Sequence, residues 1–161
     1  MGFFARSPIV DRYRKRASEV WTTYMVNLSS HGRWSGVNPF EPTPRDKSAG
    51  PVIAITRATI KWQKLLDFWG YVPVSQKDLK ANSGLIYTKG MGEMPIVHMA
   101  TYSVWEDEAS LRRFAYESEH HRVAIAKTKA LKWYKEELFA RFQPICSEGT
   151  WEGRSPLEGM L

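Results

Sequence analysis

The 161-residue chain has a single cysteine, Cys146, which excludes an internal disulfide framework, a cysteine-based zinc site and an iron–sulfur cluster within one chain. No apolar run is long enough to span a bilayer, and the start lacks a signal-peptide pattern. A reducing, cytoplasmic setting is therefore expected. Long runs of one charge are missing too. The 23 basic residues are scattered among 17 acidic ones, and the longest basic run is Arg14-Lys15-Arg16. A net charge of +6 distributed in this way is a weak signal for nucleic acid, and no nucleic-acid partner is expected. Equally absent are a Gly-rich phosphate loop leading into a helix, a Ser-His-Asp order and a His-Glu-x-x-His zinc signature. No internal repeat is evident.

What the chain does have is aromatic surface, at 13% of residues with seven Trp. Such an excess marks large buried surfaces or a pocket for a flat apolar ligand. The length suits one domain with a proper core.

The stretch from Pro95 to Ile125 organises the rest. Its first part alternates as a strand, with Ile96, His98, Ala100, Tyr102 and Val104 on one face and Val97, Met99, Thr101, Ser103 and Trp105 on the other. Both faces are largely apolar, so the strand is a central one covered on two sides. Asp107 and Glu108 then suit the positive end of a helix carrying Ala109, Leu111, Phe114 and Ala115, which bends near Ser118.

Before it, Ser7-Pro8 opens a helix, and Ile9, Tyr13, Ala17, Val20, Tyr24 and Leu28 continue the spacing for about six turns. Residues 31–50 form a long ordered loop rich in Gly and Pro, pinned to the core by Trp34 and Phe40. Val52 to Thr59 is a strand. Ile60 to Trp69 is a helix ended by Gly70 and Pro73, and Lys77 to Ala81 adds one helical turn. Leu85 to Lys89 is a strand, Gly90-Met91-Gly92 the turn after it, and Leu138 to Ile145 the last strand.

Strand, helix, strand, strand, helix, strand is the ferredoxin-like βαββαβ unit of the α+β class, here with an extra N-terminal helix and a long loop. The expected organisation is an N-terminal helix over 1–30, the loop over 31–50, the ferredoxin-like barrel domain over 51–146 and a C-terminal tail over 147–161. Two helices cover one sheet face, and the other face is apolar as well. That face calls for a second sheet, so a homodimer closing an α+β barrel is expected.

The residues that could carry chemistry are the histidines and the charges near them. His98, His120 and His121 are candidate metal ligands or acid–base groups, although adjacent helical residues point about 100° apart, so His120 and His121 are unsuited to sharing one ion. Arg57 and Arg141, placed on strands, each call for a carboxylate such as Glu137 or for an anionic ligand if they face inward.

Arg33-Trp34-Ser35-Gly36, Asn38-Pro39-Phe40, Thr56-Arg57-Ala58-Thr59, Phe68-Trp69 with Val72-Pro73, Gly90-Met91-Gly92-Glu93, Thr101-Tyr102-Ser103-Val104-Trp105, Phe114-Ala115, His121, and Trp133-Tyr134 through Glu136-Glu137-Leu138-Phe139-Ala140-Arg141-Phe142 resemble, in order and spacing, the spheroidene monooxygenase family of carotenoid biosynthesis. The resemblance implies a dimeric α+β barrel and haem-dependent insertion of oxygen from O2, with an external electron donor, into an acyclic carotenoid as a hydroxyl or keto group. It makes His121 the iron ligand, with His98, Arg57 and Tyr102 as catalytic candidates and Trp105, Arg141 and Trp69 beside His121 as cofactor-binding ones. Peripheral association with the inner membrane goes with such a substrate. Members of the family are longer, with an N-terminal segment that looks like a first copy of the sheet unit, and Ser7 to Leu28 resembles the helix closing that copy. Two other functions compete: a cofactor-free or haem-degrading oxygenase of the same barrel class, and a truncated, non-catalytic ligand-binding barrel.

Overall fold

The computed structural model describes residues 7–43, 50–92, 96–117, 123 and 130–161, with the side chains of 74–78, 80, 81 and 117 left aside. Its elements in order are α1 (Pro8–Arg14), β1 (Trp21–Gly32), β2 (Val52–Ile60), a 3-10 turn (Trp62–Lys64), α2 (Leu65–Ala81), β3 (Leu85–Gly92), β4 (His98–Trp105), α3 (Glu108–Glu117) and β5 (Tyr134–Gly149). The strands form one antiparallel sheet in the order β1-β5-β2-β4-β3. Strands β2 to β5 with α2 and α3 are the expected ferredoxin-like unit, and β1 adds a fifth strand at the outer edge of β5.

Strand β2 forms because Val52, Ile53, Ile55, Thr56, Thr59 and Ile60 are β-branched residues that pack well on a pleated surface. Flanked by β5 and β4, it buries both faces. On one face Val52 and Ala54 join Trp105, Leu111 and Phe114 under the helices. On the other, Ile53 joins Val104, Leu138, Ala140, Phe142 and Leu157. The two-sided apolarity read from β4 is thus realised, with Val104 in one cluster and Trp105 in the other. Helix α3 starts where Asp107 accepts the Ser110 amide at 2.6 Å, and that bond holds the Asp107 carboxyl below its ordinary range.

The sheet face away from the helices is partly covered by this chain's own segments. Trp34 and Phe40 of the loop and Leu157 of the tail pack onto it, so the loop is pinned as its aromatics suggested.

Several expectations are corrected. The long N-terminal helix is confined to Pro8–Arg14, and Trp21 to Leu28 lies in β1. Trp21, Thr22, Thr23, Tyr24 and Val26 favour an extended chain, and pairing with β5 outweighs the helical spacing of Val20, Tyr24 and Leu28. Ile9 and Tyr13 are exposed, and no residue of α1 is buried. Helix α2 runs through Gly70 and Pro73 to Ala81, absorbing the separate turn expected at Lys77. Proline there removes one backbone donor without ending the helix. Gly90-Met91-Gly92 is the end of β3, paired with Thr101, Ala100 and Met99, and not a turn. Strand β4 begins at His98, after Ile96 at φ 97°.

Candidate functional site

The helix-free face carries a polar row at one end of an apolar surface. Register places Thr59 of β2 between Glu136 of β5 and His98 of β4, with Arg57 one pleat away between Leu138 and Ala100. Arg57 is 3% exposed. Its Nη1 donates to Glu136 Oε1 at 3.0 Å and to Thr59 Oγ1 at 3.3 Å, and its guanidinium carbon lies 5.0 Å from the centre of the Trp34 ring. A buried guanidinium needs such an answer to its charge.

Glu136 does a second job. Its two oxygens accept the amides of Ser35 at 2.8 Å and Gly36 at 2.7 Å. Both residues have positive φ, 55° and 85°, in a tight turn whose ends, Trp34 and Val37, form a bridge. The Gly36 and Ser35 amides, followed by Arg57, hold the Glu136 carboxyl below its ordinary range. Trp34 is thereby fixed over Arg57.

Further along the face, Tyr102 is opposite Ile55 and half-buried. Its hydroxyl bonds the Thr23 side chain, and burial, the larger effect, raises its pKa. As a phenol it is protonated at neutral pH in any case. Trp21 stands edge-on to Tyr102 and Tyr87, with ring centres 5.9 and 5.1 Å apart. Trp151 sits edge-on to Tyr87 at 6.0 Å and has Lys89 Nζ 5.3 Å from its ring.

Of the residues singled out from sequence, Arg57, His98 and Tyr102 share this face. Three others do not. Trp105 is buried under the helices, its indole N–H donating to Ser103 Oγ at 3.0 Å and its ring 5.1 Å from Phe114. Arg141 pairs with Glu108 of α3 and donates from Nε to Ser29 Oγ at 2.9 Å. Trp69 of α2 donates to the Ile96 carbonyl at 3.1 Å. Strand alternation turns Trp105 and Arg141 away from the face that holds His98, and Trp69 is carried by α2, while His121, beside which the three were expected, lies outside the described residues. The partner expected for both arginines, Glu137, is exposed and serves neither; Glu136 and Glu108 take that place. His120 and His121 lie outside the described residues. Among the described residues, no three His, Cys, Asp or Glu side chains converge as a metal site.

Sequence reasoning missed Glu136 as Arg57's partner. Alternation along β5 separates Glu136, with Leu138 and Ala140, from Glu137, with Phe139 and Arg141, but which of the two meets Arg57 is set by the pairing of β5 with β2.

No family model matches the chain. It is 38% identical over 154 residues to the spheroidene monooxygenase of Cereibacter sphaeroides, covering 95% of this chain and 48% of that protein. The Rhodobacter capsulatus spheroidene monooxygenase is 38% identical over 159 residues, covering 95% of this chain and 64% of its own length. Over nearly its whole length the chain is therefore similar to spheroidene monooxygenases. A third, from Rubrivivax gelatinosus, is 34% identical over 154 residues and is covered to 58%. The chain thus spans about half to two thirds of the length of these family members. Among solved structures, a putative monooxygenase from Fusobacterium nucleatum superposes with a TM-score of 0.57 at 11% identity, over 81% of this chain and 54% of that one. A putative antibiotic biosynthesis monooxygenase from Caulobacter crescentus gives 0.51 at 9% identity, over 59% of this chain and 90% of that one. These likenesses establish the α+β fold.

Proposed function

We propose that this chain is a member of the spheroidene monooxygenase family and takes part in inserting one oxygen atom from O2 into an acyclic carotenoid, as a hydroxyl or keto group. The observation that carries the reading is the match to spheroidene monooxygenases across 95% of the chain. The apolar sheet face supports it: Ile55, Tyr102, Trp21 and Tyr87 offer a surface for a flat, water-excluded polyene, and the polar row lies at one end of it. His98 and Tyr102 are the catalytic candidates that remain, with Arg57, expected among them, acting as a positioning residue. Tyr102 is suited to donating a hydrogen bond, as a phenol that is protonated at neutral pH and whose pKa burial raises further.

Haem is the proposed cofactor, with His121 as iron ligand. When bound, it supplies iron that activates O2 with electrons from an external donor. Among the described residues, the His98 imidazole and the Tyr102, Trp21 and Tyr87 rings are the groups on that sheet face that could meet it. Arg57 suits it less as a partner for a haem carboxylate, because Glu136 already answers its charge. Its role in the proposal is to hold Trp34 and the polar end of the face. Homodimerisation belongs to the same proposal.

The setting proposed is cytoplasmic, peripheral at an anionic inner-membrane surface. No helix among the described residues is long and apolar enough to cross a membrane. Trp62 and Leu66 are 69% and 91% exposed, and Lys61 and Lys64 adjoin them in sequence. Aromatic and aliphatic side chains beside lysines suit an anionic lipid surface, which is where a carotenoid resides.

The test is an absorption spectrum of the purified protein with and without added haem, followed by incubation with an acyclic carotenoid, O2 and a reductant. A Soret band lost in the His121→Ala variant, with an oxygenated product, supports the reading. Oxygenation with no iron spectrum favours the cofactor-free oxygenase, and binding without turnover favours the ligand carrier.

A further inference from the structure

Residues 32–40, GRWSGVNPF, and 149–157, GTWEGRSPL, follow one pattern, Gly-x-Trp-x-Gly-x-Asn/Ser-Pro-Phe/Leu. Gly32 and Gly149 stand 117 positions apart, as do Trp21 and Leu138 at the other ends of the paired strands. This revises the expectation of no internal repeat: single matches in nine residues are weak, and the structure is what makes the pattern meaningful.

The two copies have the same backbone. Gly32 and Gly149 have φ of 91° and 82°, Ser35 and Glu152 both 55°, and Gly36 and Gly153 85° and 77°. A Cβ on Gly32 would collide with the Glu137 carbonyl, and one on Gly149 with the Val20 carbonyl. The same carbonyls accept the amides of Arg33, at 2.8 Å, and Thr150, at 3.1 Å. Each turn is held by a glutamate. Glu136 takes the amides of Ser35 and Gly36, and Glu19 takes those of Glu152 and Gly153, both at 2.7 Å. Glu19 and Glu136 are themselves 117 positions apart. Phe40 and Leu157, the last residues of the two copies, enter the same core.

The strand pairing obeys the relation throughout. Adding 117 to any β1 residue and subtracting 117 from its β5 partner turns one pair of the register into another, so Trp21↔Gly149 becomes Gly32↔Leu138 and Tyr24↔Cys146 becomes Ser29↔Arg141. The two residues the register skips, Leu28 and Ile145, exchange as well. The ribbon of β1 and β5 therefore has an internal dyad at Val26↔Gln143.

That dyad is broken by one thing. Leu138 to Phe142 of β5 is paired along its other edge with Arg57 to Ile53 of β2, whereas the equivalent stretch of β1, Trp21 to Met25, has no neighbouring strand on its outer edge among the described residues. The rest of β1 is partly served by the loop, whose Thr43 amide donates to the Asn27 carbonyl at 2.9 Å. An edge strand with unpaired backbone groups is a template for another strand.

We propose that the outer edge of β1 over Trp21–Met25 is the docking edge for a strand equivalent to β2, carried by a second βαββα sheet unit that uses β1 as its own last strand. A second copy of this chain does not suit that edge, because its β2 is already flanked by β5 and β4. The occupant is a unit with no fifth strand of its own. Family members of roughly one and a half to two times this length have room for one. The inference rests on the register and stands whether or not the chain oxidises a carotenoid.

Hydrogen exchange followed by mass spectrometry tests it, comparing the 161-residue chain made alone with the protein isolated from its own cells. The expected result is exchange slowed by about tenfold or more over Trp21–Met25 in the cell-derived protein, with Ser29–Gly32 changed little. Equal rates in the two samples, or slowing spread evenly along β1, would overturn the proposal. So would protection of Trp21–Met25 in a particle whose mass is that of two identical 161-residue chains. Should the chain made alone be unfolded, the cell-derived protein decides by itself: Trp21–Met25 exchanging as slowly as β2 supports the proposal, and exchanging as fast as the exposed helix α1 overturns it.

Discussion

Glu136 lies 3.0 Å from the buried Arg57 guanidinium and at the same time accepts the two amides that close the turn below Trp34. One carboxylate therefore neutralises a charge in the apolar face and fixes the aromatic ring stacked on it. Replacing Glu136 by Gln keeps the shape and removes the charge. The Glu136→Gln variant is expected to lower Tm and to speed exchange at Ser35 and Gly36, while Glu137→Gln, at an exposed position on the other face of the strand, changes neither. Equal effects from the two variants would contradict the assignment.

Acid should open both turns together. Glu19 and Glu136 are held below their ordinary value of 4.5, in each case first by a glycine amide of the turn, Gly153 or Gly36. A depressed carboxyl contributes stability that is complete above its unfolded value and is lost as pH falls through the lower folded one. Exchange at Ser35, Gly36, Glu152 and Gly153, corrected for intrinsic rates, is thus expected to rise only below the ordinary carboxylate range. A rise near neutral pH would speak against carboxylate clamps.

The core of the helix-free face is tested by Leu138, which is 1% exposed. The Leu138→Ala variant is expected to cost about 2–5 kcal/mol in denaturant unfolding, as large-to-small changes in packed cores do. Leu66→Ala, at an exposed position, should fall within about 0.5 kcal/mol of the parent.

Leu66 matters for a different reason in the proposed setting. Sedimentation with anionic vesicles should weaken several-fold in a Trp62→Ala, Leu66→Ala double variant whose thermal unfolding is unchanged. Undiminished vesicle binding would remove this patch from the membrane reading.

The parts of the fold that could be read in the sequence are those where a single period dominates. Strands β2 and β4 and helix α3 have unbroken apolar patterns, so the βαββαβ order emerged from them. Strand β1 did not, for two reasons visible in its residues. Val20, Tyr24 and Leu28 recur at helical spacing, and the register slip at Leu28 interrupts the alternation that would have marked a strand. Helix α2 reads short in the sequence because Pro73 has the form of a stop, although one missing donor inside a 17-residue helix is tolerable. At the site, alternation alone put His98 and Tyr102 on one face of β4, whereas the face of Arg57 followed only from the pairing of β2 with β4. The pairing of Glu136 with Arg57 could not, since it depends on the order β5-β2-β4 and on the turn at Ser35-Gly36, neither of which is a local property.

The central claim is oxygen transfer to an acyclic carotenoid, and the most direct measurement is mass spectrometry of the product formed under heavy-isotope dioxygen. The account predicts one labelled oxygen atom in the carotenoid product, formed only when a reductant is present. A product carrying oxygen from water, or an unaltered carotenoid recovered from a protein that is folded and loaded with haem, would contradict it.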